Sequence, residues 1–179
     1  AMKITLEALK PLGTEYGEAL KLGFRSRWTD FLPSTGKRPG AYSTGVWSVH
    51  PYQLLNFNGQ YDDLSTLAHE AGHSIHTWLA NRAQPYPSAD YSIFVAEVAS
   101  TLNEQLLVHH MLGLTKDDAT RLALLGEQLD RMRGTLFRQA LFAEFELAIH
   151  ELAEKGESLT GEKLTALYLK LTREYYGHD

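Results

Sequence analysis

The chain has 179 residues, a formal net charge of −5, 44% hydrophobic and 22% charged residues, and no cysteine. That length and composition suit one domain with a substantial core, and the acidic balance argues against nucleic acid or an anionic membrane as partner. Without cysteine, disulfides and thiolate metal sites are excluded, so any metal must be held by histidine and carboxylate. No apolar run approaches twenty residues and no signal peptide is present, so a cytoplasmic setting is expected.

Apolar periodicity through Tyr16, Ala19, Leu20, Leu22 and Phe24 predicts a first helix over residues 6–31. Residues 33–59 differ. Their Gly-Lys-Arg-Pro-Gly punctuation, followed by Tyr42, Val46, Trp47, Val49, Leu54, Leu55 and Phe57, predicts two short strands or extended segments. His50 has no companion at ligand spacing and reads as structural.

Leu64, Leu67, Ala68, Ala71, Ile75 and Leu79 then recur at three- and four-residue spacing, which predicts a helix with a buried stripe, capped by Asp62 or Asp63. Within it lies His69-Glu70-Ala71-Gly72-His73. Positions i and i+4 share a helix face, so both imidazoles can reach one Zn²⁺, and Glu70 beside them can serve as general base toward a water on that metal. Gly72 costs roughly 1 kcal/mol against alanine in a helix interior, and a closely packed neighbour would rationalise it.

A catalytic zinc needs a third protein ligand. Residues 91–104 read as a second helix with Phe94, Val98, Leu102 and Leu106 on one face and Glu97 between apolar neighbours, a setting in which a carboxylate needs a partner. With residues 81–89 reversing the chain, this helix can pack antiparallel to the first and set Glu97 opposite His73. After a break at Gly113-Leu114-Thr115, a long apolar-periodic stretch begins at Lys116 or Asp117 and reaches about Glu154, with Gly126 and Gly134 marking sites for a bend. Phe137, Leu141, Phe142, Phe145 and Ile149 form a stripe expected in the core. Thr160 is expected to cap a final helix carrying Leu164, Leu167, Tyr168, Leu171 and Tyr175. His109, His110 and His150 read as solvated or core residues.

The blocks His69-Glu70-Ala71-Gly72-His73-Ser74-Ile75-His76 and Phe94-Val95-Ala96-Glu97-Val98-Ala99-Ser100-Thr101, with Gly40-Ala41-Tyr42-Ser43 upstream and the run from Phe137 to Glu146 downstream, resemble the oligoendopeptidase F branch of the M3 (thimet-type) zinc metallopeptidases. The resemblance implies one zinc per chain on His69, His73 and Glu97, with Glu70 as general base toward zinc-bound water and oligopeptides as substrates. It further implies Ser100, Glu104 and His76 beside the metal ligands, where carboxylates and hydroxyls orient ligating imidazoles. Gly40, Ala41 and Tyr42 are implied along the substrate path, the other reading being a structural hairpin.

Members of that family are several hundred residues long and carry a later histidine and tyrosines that stabilise the oxyanion. Residues 1–179 are therefore expected to form a single domain, a truncated or minimal catalytic core, mainly α, with a zincin-like helical core and a small β element before the HExxH helix. The alternative is a catalytically silent zinc-binding fragment, since one lost oxyanion donor costs about 10²–10³ in turnover. Apolar surface left uncovered would favour a homo-oligomer. A di-iron bundle would need a second ExxH, and the sequence has none.

Overall fold

The computed structural model describes residues 1–178, which fall into two compact units, one ending at Lys116 and the other beginning at Asp117. The first holds helices α1 (Met2–Ala8), α2 (Thr14–Arg25), α3 (Tyr61–Ala83) and α4 (Ile93–Leu114). Three short strands, β1 (Thr29–Asp30), β2 (Tyr42–Thr44) and β3 (Tyr52–Leu54), lie between α2 and α3. The fold is mainly α with a small sheet ahead of the motif helix.

The single first helix expected over residues 6–31 is instead two helices and a strand. Pro11 sits in a 3₁₀ turn, Lys10–Leu12, and Gly13 at φ +92° lies outside the helical region, so the chain restarts at Thr14. α2 stops at Arg25, and Arg27 at φ +60° turns the chain into β1. The apolar pattern continued across these breaks because both helices bury apolar residues against α3, Ala8 of α1 with Leu64 and Ala68 and the α2 stripe with Ala71 and Ile75. Leu9, Ala19, Leu20 and Trp28 pack with Ala71 and Ile75 of α3.

The sheet order is β1-β3-β2, with β1 parallel and β2 antiparallel to β3; β2 and β3 are the two segments expected over residues 33–59, and β1 comes from the end of the stretch expected as helix. Buried polar groups tie this sheet to α3. The Gln53 amide donates to Ser74 Oγ at 2.8 Å, its carbonyl accepts from Thr29 Oγ1 at 2.7 Å, and Ser74 Oγ lies 2.7 Å from Ser43 Oγ on β2. β2, the end strand of the sheet, is thereby held beside the residue that follows His73.

α3 begins with Gln60 as its cap rather than Asp62 or Asp63. Asp63, at the third helical position, accepts from the backbone N–H groups of Gln60 and Asn58 and so closes a capping box. Leu67, Ala68, Ala71 and Ile75 are essentially inaccessible, each Leu or Ile side chain contributing about 1.5–3 kcal/mol by burial. The face of α4 that packs is Ser100, Asn103 and Leu107. Of the expected apolar face only Leu106 meets the core; Phe94 is 89% and Val98 61% exposed, and Leu102 is exposed too. The spacing was helical, but close approach of two helices favours small side chains at the contact, and α4 offers these at Ser100 and Ala99.

In the second unit, α5 (Asp118–Met132), one π-helical turn (Arg133–Phe137) and α6 (Arg138–Glu154) follow one another, the interruption falling at Gly134. Asp117 caps α5 by accepting from Thr120 N at 2.8 Å, and Thr160 caps α7 (Gly161–Tyr176) by accepting from Lys163 N at 3.3 Å. Leu141 and Leu171 are buried, and Phe145 meets Tyr168 edge-on at 5.4 Å. Phe137 and Phe142, expected in the core, are exposed, since within this unit the contact of α6 with α7 runs along Leu141 and Phe145. Among the described residues no helix is long and apolar enough to cross a membrane.

Candidate metal centre

The centre is built where α3 and α4 touch backbone to backbone. A Cβ on Gly72 would lie 2.6 Å from Ser100 Cα and 2.8 Å from the Ala99 carbonyl oxygen, so only glycine permits this approach. The pairs His73–Glu97, Gly72–Ser100 and His69–Glu104 run in opposite directions along the two helices, as expected for an antiparallel pair.

His69, His73 and Glu97 converge there. The two Nε2 atoms are 3.1 Å apart, and Glu97 Oε2 lies 3.3 Å from His69 Nε2 and 3.5 Å from His73 Nε2. A tetrahedron with arms of about 2.0–2.1 Å has edges of about 3.3–3.4 Å, so the three atoms are spaced as ligands of one zinc-sized ion. Their chemistry agrees with the spacing. His69 Nδ1 hydrogen-bonds Glu104 Oε1, and His73 is hydrogen-bonded by the backbone of Ala96, which leaves the Nε2 lone pairs turned to the common point. Ser100 Oγ, fully buried, donates to Glu97 Oε2 at 2.6 Å and fixes that carboxylate.

Electrostatics distinguish the titratable groups. Burial works against the His69 imidazolium, but the hydrogen bond and charge of Glu104, with Glu70 and Glu97, outweigh it and hold the pKa above the usual histidine value. Burial carries His73 the other way, below that value, and the neighbouring His69 adds to the shift against the charge of Glu97. Glu70 is pushed up to about 7 by burial, with His69 opposing and the charges of Glu97 and Glu104 adding. Its Oε2 is buried without a hydrogen-bond partner, leaving a lone pair and a near-neutral pKa free for proton transfer.

Two other sets of predicted residues stand apart. His76 does not join the three converging atoms; its ring stacks on Tyr91 at 3.8 Å and its Nδ1 is buried without a partner. Gly40 and Ala41 line a recess of about 240 Å³ with Asn56, Asp63 and Thr66, while Tyr42 is exposed on β2. His50 lies between Trp28 and Tyr52, at 5.4 and 4.3 Å, in the structural role expected of it.

Sequence reasoning missed Asn103 and Tyr16. Asn103 donates to the Ala68 carbonyl at 2.9 Å and to the Tyr16 hydroxyl at 2.7 Å. A buried asparagine inside an apolar helix is itself a signal, since it needs partners. Nothing in sequence names those partners.

The profile of Peptidase family M3 matches residues 3–179. The chain belongs to peptidase family M3. It is 49% identical over 172 residues to Oligopeptidase PepF of Bacillus subtilis (strain 168), covering 96% of this chain and 26% of that protein. It is 48% identical to the chromosomal Oligoendopeptidase F of Lactococcus lactis subsp. cremoris, covering 98% of this chain and 29% of that protein. The crystal structure of oligoendopeptidase-F from Enterococcus faecium, 34% identical, superposes with a TM-score of 0.58 over 98% of this chain and 24% of that one. A Bacillus anthracis str. Ames structure, only 20% identical, superposes at 0.78 over 97% of this chain and 31% of that one and speaks for the fold alone. The chain thus spans under a third of the length of these relatives, and it sits in the oligoendopeptidase F branch of the M3 family.

Proposed function

We infer that this chain carries the metal-binding and proton-transfer half of a zinc-dependent oligoendopeptidase. The observation that carries the reading is the set of three near-tetrahedral edges joining His69 Nε2, His73 Nε2 and Glu97 Oε2, with the buried, unpartnered Oε2 of Glu70 on the same helix as the two histidines. A zinc ion held there would act as a Lewis acid on a peptide carbonyl and lower the pKa of water.

The protein's own groups supply the rest. Glu104 holds the His69 ring in the tautomer whose Nε2 lone pair is free, and Ser100 orients Glu97. Glu70 takes a proton from the attacking water at Oε2 and returns it to the leaving amine as the C–N bond breaks. A carboxyl with a pKa near 7 serves both steps, because it is readily protonated and readily deprotonated near neutrality. Gly40, Ala41 and Tyr42, at the start of β2, are assigned to the path of an oligopeptide. The absence of cysteine fits a cytoplasmic setting.

Elemental analysis combined with mass-spectrometric cleavage of a mixed peptide library, for the native chain and Glu70→Gln side by side, tests this. One zinc per chain with cleavage confined to the native protein supports the peptidase. Zinc without cleavage in either supports the second reading, a catalytically silent zinc-binding fragment. A protein that takes up no zinc would sink both.

A further inference from the structure

Two helical turns beyond the metal ligands, the same face of α3 borders a second recess. Thr77 and Asn81 follow His73 at four and eight residues, so they lie about 6 and 12 Å along the helix from it. With them, Trp47, Tyr86, Asp90 and Tyr91 line a recess of about 570 Å³ that also reaches the C-terminal end of β2. Trp47 and Tyr86 meet edge-on at 5.8 Å, forming one wall. Tyr91 forms another and is held there, its hydroxyl 2.7 Å from Thr77 Oγ1 and its ring stacked on His76. This accounts for the place of His76, apart from the three converging ligand atoms: its ring backs an aromatic wall.

We propose that this recess is a side-chain subsite that selects an aromatic residue of the peptide, two to four residues from the cleaved bond. The proposal rests on the peptidase reading for the identity of its ligand. The offset follows from length: an extended peptide advances about 3.4 Å per residue, so 6–12 Å is two to four residues. The choice of side chain follows from the lining. Three aromatic rings offer edge and face contacts to a fourth, and a ring buries far more apolar area there than an alanine. Among the described residues that line the recess, Asp90 is the one charged group, so acidic side chains are repelled. A basic side chain would gain only an exposed ion pair and a cation–π contact, each weak in water. Tyr86 is 70% exposed, so it remains available to close over a bound ring.

The test uses two peptide series that place Phe, Arg, Glu or Ala at each position around the cleaved bond. Cleavage is read on the native protein, and binding is read by calorimetry on zinc-loaded Glu70→Gln. At one fixed position Phe should exceed Ala by about tenfold in kcat/KM and in affinity, with Glu the poorest. Trp47→Ala, and independently the surface change Tyr86→Ala, should bring the Phe-to-Ala ratio to within about threefold. Cleavage with no aromatic preference, or a preference that survives both substitutions, overturns the subsite. Selective aromatic binding lost in both variants, in a protein that cleaves nothing, upholds the subsite while the peptidase reading fails.

Discussion

Asn103 of α4 donates its side-chain amide to the carbonyl oxygen of Ala68 on α3 at 2.9 Å, and both residues are buried. The next residue on α4 is Glu104 and the next on α3 is His69, which hydrogen-bond each other. One buried amide therefore sets the register in which the Glu104 carboxylate meets the His69 imidazole of the candidate metal site. The second amide hydrogen goes to Tyr16, whose hydroxyl is pushed up to about 12 chiefly by burial and so stays protonated.

Asn103→Leu should destabilise the fold by about 1–3 kcal/mol, because the Tyr16 hydroxyl loses its partner in the interior. Urea denaturation measures this. Adding Tyr16→Phe to Asn103→Leu should recover part of the loss, since it removes the stranded hydroxyl; no recovery would show that Tyr16 is hydrated.

Glu104→Gln keeps the shape of the side chain but removes the charge that supports His69. Zinc affinity should fall about 10- to 100-fold, with little change in the melting temperature of the metal-free protein. Competition with a chromophoric chelator reads the affinity directly. An unchanged affinity would mean the Glu104 contact does not orient the ring.

Gly72→Ala places a methyl 2.6 Å from Ser100 Cα, a backbone atom that cannot swing aside. The helices must separate, and a loss of about 3 kcal/mol or more is expected despite the better helix propensity of alanine. A variant as stable as the parent would contradict the backbone contact. Zinc affinity should drop as well, since separation moves Glu97 from the histidines.

The raised Glu70 pKa makes the metal-free protein sensitive to pH. In the unfolded chain this carboxyl ionises near 4.5, and in the folded chain near 7, so the folded state holds the proton more tightly. Its contribution is fully present below pH 4.5 and is lost as pH rises through 7. Glu70→Gln should match the parent at about pH 4.5 and exceed it at about pH 8 by up to about 3 kcal/mol. Parallel stability–pH curves for the two proteins would remove the basis for a proton-transfer role. His69 contributes with the same sign and His73 with the opposite one, and because the Glu70 charge helps to raise His69, the difference between the two curves also carries the loss of that support.

The candidate metal site was legible in the chain because its parts are local. His69, Glu70 and His73 occupy one turn, and the period of the helix alone places both imidazoles on one face. Glu97 was legible at one remove, as a carboxylate set among apolar neighbours, although its side chain is 56% exposed and burial does not force the pairing. Gly72 announced a close contact through its unfavourable propensity, and the contact is the α4 backbone.

Other features depended on partners remote in sequence. Periodicity ran through Pro11 and Gly13 without registering the break, since two successive helices that both bury apolar residues against α3 look like one long pattern. It also favoured the large residues Phe94, Val98 and Leu102 for the face of α4 that packs, whereas the two backbones approach so closely that only Ser100 and Ala99 fit between them. Local spacing determined which residues share a face. Which face met which, the Gln53–Ser74–Ser43 link from sheet to helix, and the pairing of Asn103 with a tyrosine 87 residues away were decided by tertiary packing, because a buried polar group must find its partner in space.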